Sequence, residues 1–162
     1  MSTIEEIYRA YSDEVYRFSC WLCGDSAEAE DIVSETFLRL WGSLDDLQVE
    51  TMKAYLLTIA RNVFISQRRR SGRYRPLPEN VMDSSPSPDV EAEDREEVRE
   101  LMSAVGALPE GERAALLMRM QHDVPYEEIA RSLGISLAAA KVRVHRARIK
   151  LAQLRSNLGG EP

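Results

Sequence analysis

The sequence predicts an all-α protein: two small helical domains joined by a flexible linker, the second domain a helix-turn-helix. Three observations carry that prediction. Apolar residues recur at three- and four-residue intervals along most of the chain, the period of a helix with one buried face. Residues 72–95 break the pattern with Pro76, Pro78, the run Ser84-Ser-Pro-Ser-Pro88 and clustered acids, a composition with no core of its own. Pro125–Leu151 then reads as two helices across a tight turn. The domains are therefore expected at 1–71 and 96–158, with 72–95 between them.

Each element has its own justification. Ile4, Ile7, Tyr8, Tyr11, Val15, Phe18 and Leu22 predict a helix over 4–23, with an interruption near Ser12-Asp13 and an end at Gly24. Asp25-Ser-Ala-Glu28 is an acidic variant of the capping box and starts a second helix that runs to about Trp41. Ile32, Val33, Thr36, Phe37, Leu40 and Trp41 are its expected inner face; Glu28, Asp31, Ser34, Glu35 and Arg39 are its outer face. Gly42 to Thr51 is a polar loop. A third helix runs from Met52 to about Arg70, with Tyr55, Leu56, Ile59, Ala60, Val63 and Phe64 inward and three arginines at its C-terminal end, the favourable end for cations. After the linker, a helix begins near Val90 or Glu93 and runs to Ala107. Leu108-Pro109 breaks it, and Glu110–Gln121 forms the next, with Ala114, Leu117, Met118 and Met120.

The helix-turn-helix is the most informative stretch. Ile129, Ala130 and Leu133 make the first helix apolar on one side, and small Ala130 lets the pair cross closely. Gly134 supplies a residue that adopts positive φ, and Ser136 stands where an N-cap belongs. Leu137, Ala140, Val144, Ala147, Leu151 and Leu154 form one apolar stripe on the second helix; Ala138, Lys141, Val142, His145 and Arg146 fall on another face. Arg143, Arg148, Lys150 and Arg155 add charge, and no acid lies between Lys141 and Arg155. One packed stripe and an acid-free basic remainder suit a major groove walled by phosphates.

Composition limits the alternatives. The formal net charge of the 162-residue chain is −6, unevenly divided. Residues 1–71 carry 8 basic and 12 acidic side chains, 72–97 carry 3 and 8, and 98–162 carry 10 and 7. Only the C-terminal part is basic, so the free chain should bind DNA weakly and need a large partner to hold it. No apolar run approaches the roughly 20 residues of a membrane span, and the acidic N-terminus lacks the features of a signal peptide, so a cytoplasmic protein without membrane insertion is expected. Cys20 and Cys23 form a C-x-x-C, but the two histidines, His122 and His145, lie in the far half. Neighbouring Phe18, Trp21 and Leu22 favour packed structural thiols over a metal or redox site. No metal, cofactor or small-molecule substrate is expected.

Three segments carry a resemblance. Ala29-Glu-Asp-Ile-Val-Ser-Glu-Thr-Phe-Leu-Arg-Leu-Trp41, Lys53-Ala-Tyr-Leu-Leu-Thr-Ile-Ala-Arg-Asn62 and Tyr126–Leu151 resemble, in order, the extracytoplasmic-function (ECF) group of bacterial RNA polymerase sigma factors. The resemblance covers about residues 4–71 and 96–155. It implies that the first domain binds core RNA polymerase and melts and reads the promoter minus-ten element. The second would read the minus-thirty-five element as duplex, and the linker would thread toward the polymerase active-site channel. Asp31, Ser34 and Glu35 match the face that meets polymerase, with Ser34 where the family often has Gln. Tyr55, Thr58, Arg61 and Asn62 are the implied minus-ten contacts: an aromatic can stack on an unpaired base and an amide can read its edge. Thr58 replaces a common basic residue, and loop 42–51 corresponds to the segment that captures a flipped base. Ser136, Lys141, Val142, Arg143, His145, Arg146 and Arg148 are the implied minus-thirty-five contacts. Val142 replaces a frequent Ser and Ala138 a frequent Gly. A separate anti-sigma factor is the implied regulator.

Two other readings compete: a helix-turn-helix regulator that acts without polymerase, and a sigma-like decoy that sequesters an anti-sigma factor. The sequence holds no Ser/His/Asp grouping, no Gly-rich phosphate loop and no metal cluster, so an enzyme is not expected.

Overall fold

The computed structural model describes residues 3–43, 51–72 and 92–158. Most of the expected base-capturing loop 42–51 and of the expected linker 72–95 lies outside those residues, and the last part of that linker, 92–95, is the start of a helix. The described residues form α1 (Ile4–Cys23), α2 (Ser26–Gly42), α3 (Met52–Ser71), α4 (Ala92–Gly106), α5 (Glu110–Leu116), a π-helical turn (Leu117–Gln121), α6 (Tyr126–Leu133) and α7 (Leu137–Leu158).

The first three helices form one bundle. Thr3 and Glu6 make a full capping box at the start of α1: Glu6 N–H donates to Thr3 Oγ1 at 3.1 Å and Thr3 N–H to Glu6 Oε1 at 2.8 Å. α1 is unbroken through Ser12-Asp13, because Val15 and Phe18 bury on one side while Asp13 stays in water. Gly24, at φ +76°, closes it in the left-handed conformation. Asp25 caps α2 through Ala27 N–H, but Glu28 does not complete a box. It turns instead to Arg68 of α3 at 3.2 Å. Ile32, Val33, Thr36, Phe37 and Leu40 are inside as expected. Trp41 is not: it is 64% exposed. Leu40 already occupies the inward position, and the next residue lies about 100° further round the helix. Thr51 caps α3, whose buried line is Ala54, Leu56, Leu57, Ile59, Ala60, Val63 and Phe64; Tyr55 is half-buried at its edge.

The second half differs from its expectation in two places. Pro109 separates α4 from α5 as predicted, but the segment from Glu110 is not one α-helix to Gln121. It widens into a π turn at Leu117, which shifts later side chains off the α-helical register. Met120, expected in the core, is 53% exposed, while Leu117 and Met118 are buried. In the helix-turn-helix, Gly134 has φ +68° and its N–H bonds back to α6. Ser136 accepts from Ala139 N–H at 3.0 Å, so the expected cap is present. Ala140, Val144 and Ala147 are buried and Leu151 and Leu154 half-buried. Leu137, expected to lead that stripe, is 40% exposed at the first residue of α7.

The two halves pack against each other. One apolar cluster runs from Ile7 and Phe18 to Val144 and Ala147, and α1 and α3 meet α4, α5 and α6.

Candidate promoter and polymerase interfaces

α7 has one packed face and one open face. Its buried line of Ala140, Val144 and Ala147 uses small side chains, which brings it close to α5 and α6. The opposite face carries Ala138, Lys141, Val142, His145 and Arg146, all exposed, with Ile149 extending it. Tyr126, at the start of α6, collects two cations: Arg119 lies 4.7 Å and Lys141 6.0 Å from its ring centroid. That contact positions Lys141 at the rim of the helix pair. Arg143 departs from the group. Its guanidinium lies against Gly111 of α5, where an added Cβ would come within 2.5 Å of Nη1. Lys150 also turns to α5 and meets Glu112 at 3.0 Å. The exposed set is therefore Ser136, Lys141, Val142, His145, Arg146 and Arg148, with Arg143 half-buried beside it.

α2 presents a second surface. Asp31 and Ser34 are exposed, and Glu35 pairs along the helix with Arg39 at 3.2 Å. Leu38, which sequence reasoning did not single out, is 60% exposed, and it continues the stripe with Trp41. Positions 31, 34, 35, 38 and 41 share one helical face, so the spacing held the signal. Two large apolar residues thus stand exposed beside acids on this outer face.

The four α3 candidates are not together on an open face. Asn62 is exposed. The Tyr55 hydroxyl lies 2.9 Å from Ser43 Oγ at the end of α2. Thr58 Oγ1 lies 2.7 Å from both Ala54 O and Ser132 Oγ of α6. Arg61 donates through Nε and Nη2 to the two oxygens of Glu110, at 2.6 and 2.8 Å. Two of the four thus face the second half of the chain.

Away from these faces, burial shifts several titratable groups. Cys20 and Cys23 are free and buried, and burial pushes both thiols up, away from the reactive thiolate. Tyr16, hydrogen-bonded to Cys20 and partly desolvated, is pushed up to about 12. Burial pushes the Glu28 carboxyl up against the opposing pull of Arg68. Among the described residues no three His, Cys, Asp or Glu side chains group as a metal site. No helix among them is long and apolar enough to cross a membrane.

Both halves of the chain resemble known proteins. Residues 7–74 match the model of sigma-70 region 2 and residues 98–151 that of sigma-70 region 4. The chain is 35% identical over 156 residues to the ECF RNA polymerase sigma factor SigE of Mycolicibacterium smegmatis, covering 93% of this chain but 61% of that protein. It is 30% identical over 154 residues to the ECF RNA polymerase sigma factor SigM of Bacillus subtilis, covering 94% of each. A solved structure of the Bartonella quintana sigma factor RpoE in complex with the anti-sigma factor NepR aligns over 93% of this chain and 94% of that one, at a TM-score of 0.75 and 25% identity. Two region models in order, and a relative matched along nearly its whole length, place the chain in a family: it belongs to the ECF RNA polymerase sigma factors.

Proposed function

We propose that this chain binds core RNA polymerase, carries it to a defined set of promoters and starts transcription there, with the work divided between its halves. Residues 1–71 supply the polymerase contact and the minus-ten readers, residues 96–158 the minus-thirty-five reader, and residues 72–95 the connection. Polymerase is met by the α2 stripe of Asp31, Ser34 and Glu35, extended by Leu38 and Trp41. The minus-ten strand is met by α3 through Tyr55, Thr58, Arg61 and Asn62. The minus-thirty-five duplex is met by Ser136, Lys141, Val142, His145, Arg146 and Arg148, with Arg143 at the edge. A separate anti-sigma factor is the proposed inhibitor; the Bartonella relative was solved with one.

The observation that carries this reading is the division of α7. Ala140, Val144 and Ala147 are fully packed, while Lys141, Val142, His145 and Arg146 stand in solvent behind a glycine turn. Such a helix can enter a groove without disturbing its own domain. Net charge of −6 fits a factor that selects sites while its partner holds the DNA. The test is transcription from genomic templates by core polymerase with and without the chain. New start sites that appear only with the chain are expected. A chain that binds the same DNA alone, and leaves the start sites of core polymerase unchanged, would instead be a polymerase-independent regulator.

A further inference from the structure

The open face of α7 is not uniformly polar. Ala140, Val144 and Ala147 are buried along one side of the helix. At about 100° per residue, Ala138, Val142, His145 and Ile149 fall almost diametrically opposite them. All four are exposed, and Val142 and Ile149 keep 44% and 47% of their surface in water. The side of α7 furthest from the core is therefore a mostly apolar ridge. Cations stand on both flanks of it, Lys141 and Arg148 on one and Arg146 on the other. The basic side chains further round turn back to α5, where Arg143 lies against Gly111 and Lys150 meets Glu112. A solvated helix face would carry its charge at the crest. An apolar crest between cations instead matches the section of a major groove, with phosphates at both walls and base edges at the floor.

Val142 stands one turn after Ala138, in the N-terminal part of α7. In a helix-turn-helix that is the part of the second helix that reaches base edges. The valine side chain has two methyl groups and neither a donor nor an acceptor, so it cannot take part in hydrogen-bond readout. Thymine alone offers an apolar group in the major groove, the methyl on C5. Against any other base, Val142 would cover a polar edge and give it no partner. Ile149 lies two turns further on, roughly 10 Å along the axis, beyond that N-terminal part.

We propose that Val142, with Ala138 beside it, reads thymine methyl groups in the minus-thirty-five duplex and so helps set which promoters this chain selects. This rests on the reading of α7 as the groove helix. Lys141 and Arg146 bring the duplex to the ridge, and Val142 then discriminates by shape and burial alone.

The experiment uses core polymerase loaded with the full chain. It first selects tight binders from duplex fragments randomised over the minus-thirty-five region. Each thymine of the best fragment is then replaced in turn by deoxyuridine, which removes the methyl and leaves base pairing intact. At the thymine facing Val142, the replacement should weaken binding by about fourfold, the worth of one buried methyl-sized group. Val142→Ser should bring the ratio between the two forms to about one. Its thermal midpoint should match the parent's, because Val142 is exposed. Ile149→Ser should keep the fourfold ratio. The proposal is overturned if no thymine is methyl-sensitive, or if the sensitivity survives in Val142→Ser. Sensitivity lost in Ile149→Ser and not in Val142→Ser would overturn it as well. Failure of the underlying reading looks different: the double variant Lys141→Ala with Arg146→Ala would then bind the selected fragment as tightly as the parent does.

Discussion

At the scale of single residues, the proposed groove face of α7 makes the sharpest predictions. Arg146→Ala should cost about 1–3 kcal/mol at the cognate minus-thirty-five site and relax preference at one base if the guanidinium reads guanine. If Arg146 touches only phosphate, the loss should be similar for every sequence and the salt dependence should shallow by about one unit. Titration of the full chain against single-base duplex variants at several salt concentrations separates the two. The thiols make a second case. A double substitution of Cys20 and Cys23 to Ser places hydroxyls in a packed core and should lower stability by about 1–3 kcal/mol in a denaturant titration. The response of promoter activity to oxidants should stay as it was. A response lost in the double variant, with stability intact, would reassign the pair to redox control. The exposed face of α7 was readable from spacing, because one stripe of small apolar residues fixes which side chains are left for solvent. Arg143 was not readable in this way: its position beside Gly111 depends on where α5 lies, and no periodicity within α7 encodes that.

At the scale of elements, the helices were legible because each states its period and its ends. Gly24 and Gly134 close α1 and α6 in the left-handed conformation that their positions foretold. The failures have local causes. Trp41 follows Leu40 and could not share its direction. Met120 was carried outward by a π turn, which has no sequence period of its own. The misassigned Trp41 sharpens the account of α2: the stripe from Asp31 to Trp41 joins acids at one end to exposed apolar area at the other. Asp31→Lys with Glu35→Lys should slow association with core polymerase, since charge complementarity acts mainly on encounter and specificity. Trp41→Ala should act on dissociation, since desolvated aromatic anchors hold complexes together. Neither change should lower the thermal midpoint by more than a degree or two, because both lie outside the core. Unchanged polymerase affinity in both variants would remove this face from the interface.

At the scale of the whole molecule, the sequence foretold two helical domains and a break between them, but not how they sit together. Thr58 with Ser132, Arg61 with Glu110 and Glu14 with His122 are pairs of ordinary polar residues far apart in the chain, and nothing in their local patterns couples them. His122 should make stability sensitive to pH. Burial beneath Phe18 pushes its imidazole down from the usual range, against the smaller opposing pull of Glu14. The unfolded imidazole takes a proton near pH 6.5 while the folded one resists it, so stability present above that pH is lost as pH falls. Unfolding midpoints measured between pH 7.5 and 5.5 should drop more steeply for the parent chain than for His122→Asn. The closed packing has one more consequence. It covers the side of α3 that holds Thr58 and Arg61 but leaves the proposed groove face of α7 bare, so on the proposed reading one DNA surface is open in the free molecule and the other is not. Footprints of the chain alone at high concentration and low salt should therefore be one-sided, confined to the upstream duplex. Downstream protection should appear only once polymerase joins, so that capture of the promoter proceeds in a fixed order from upstream to downstream.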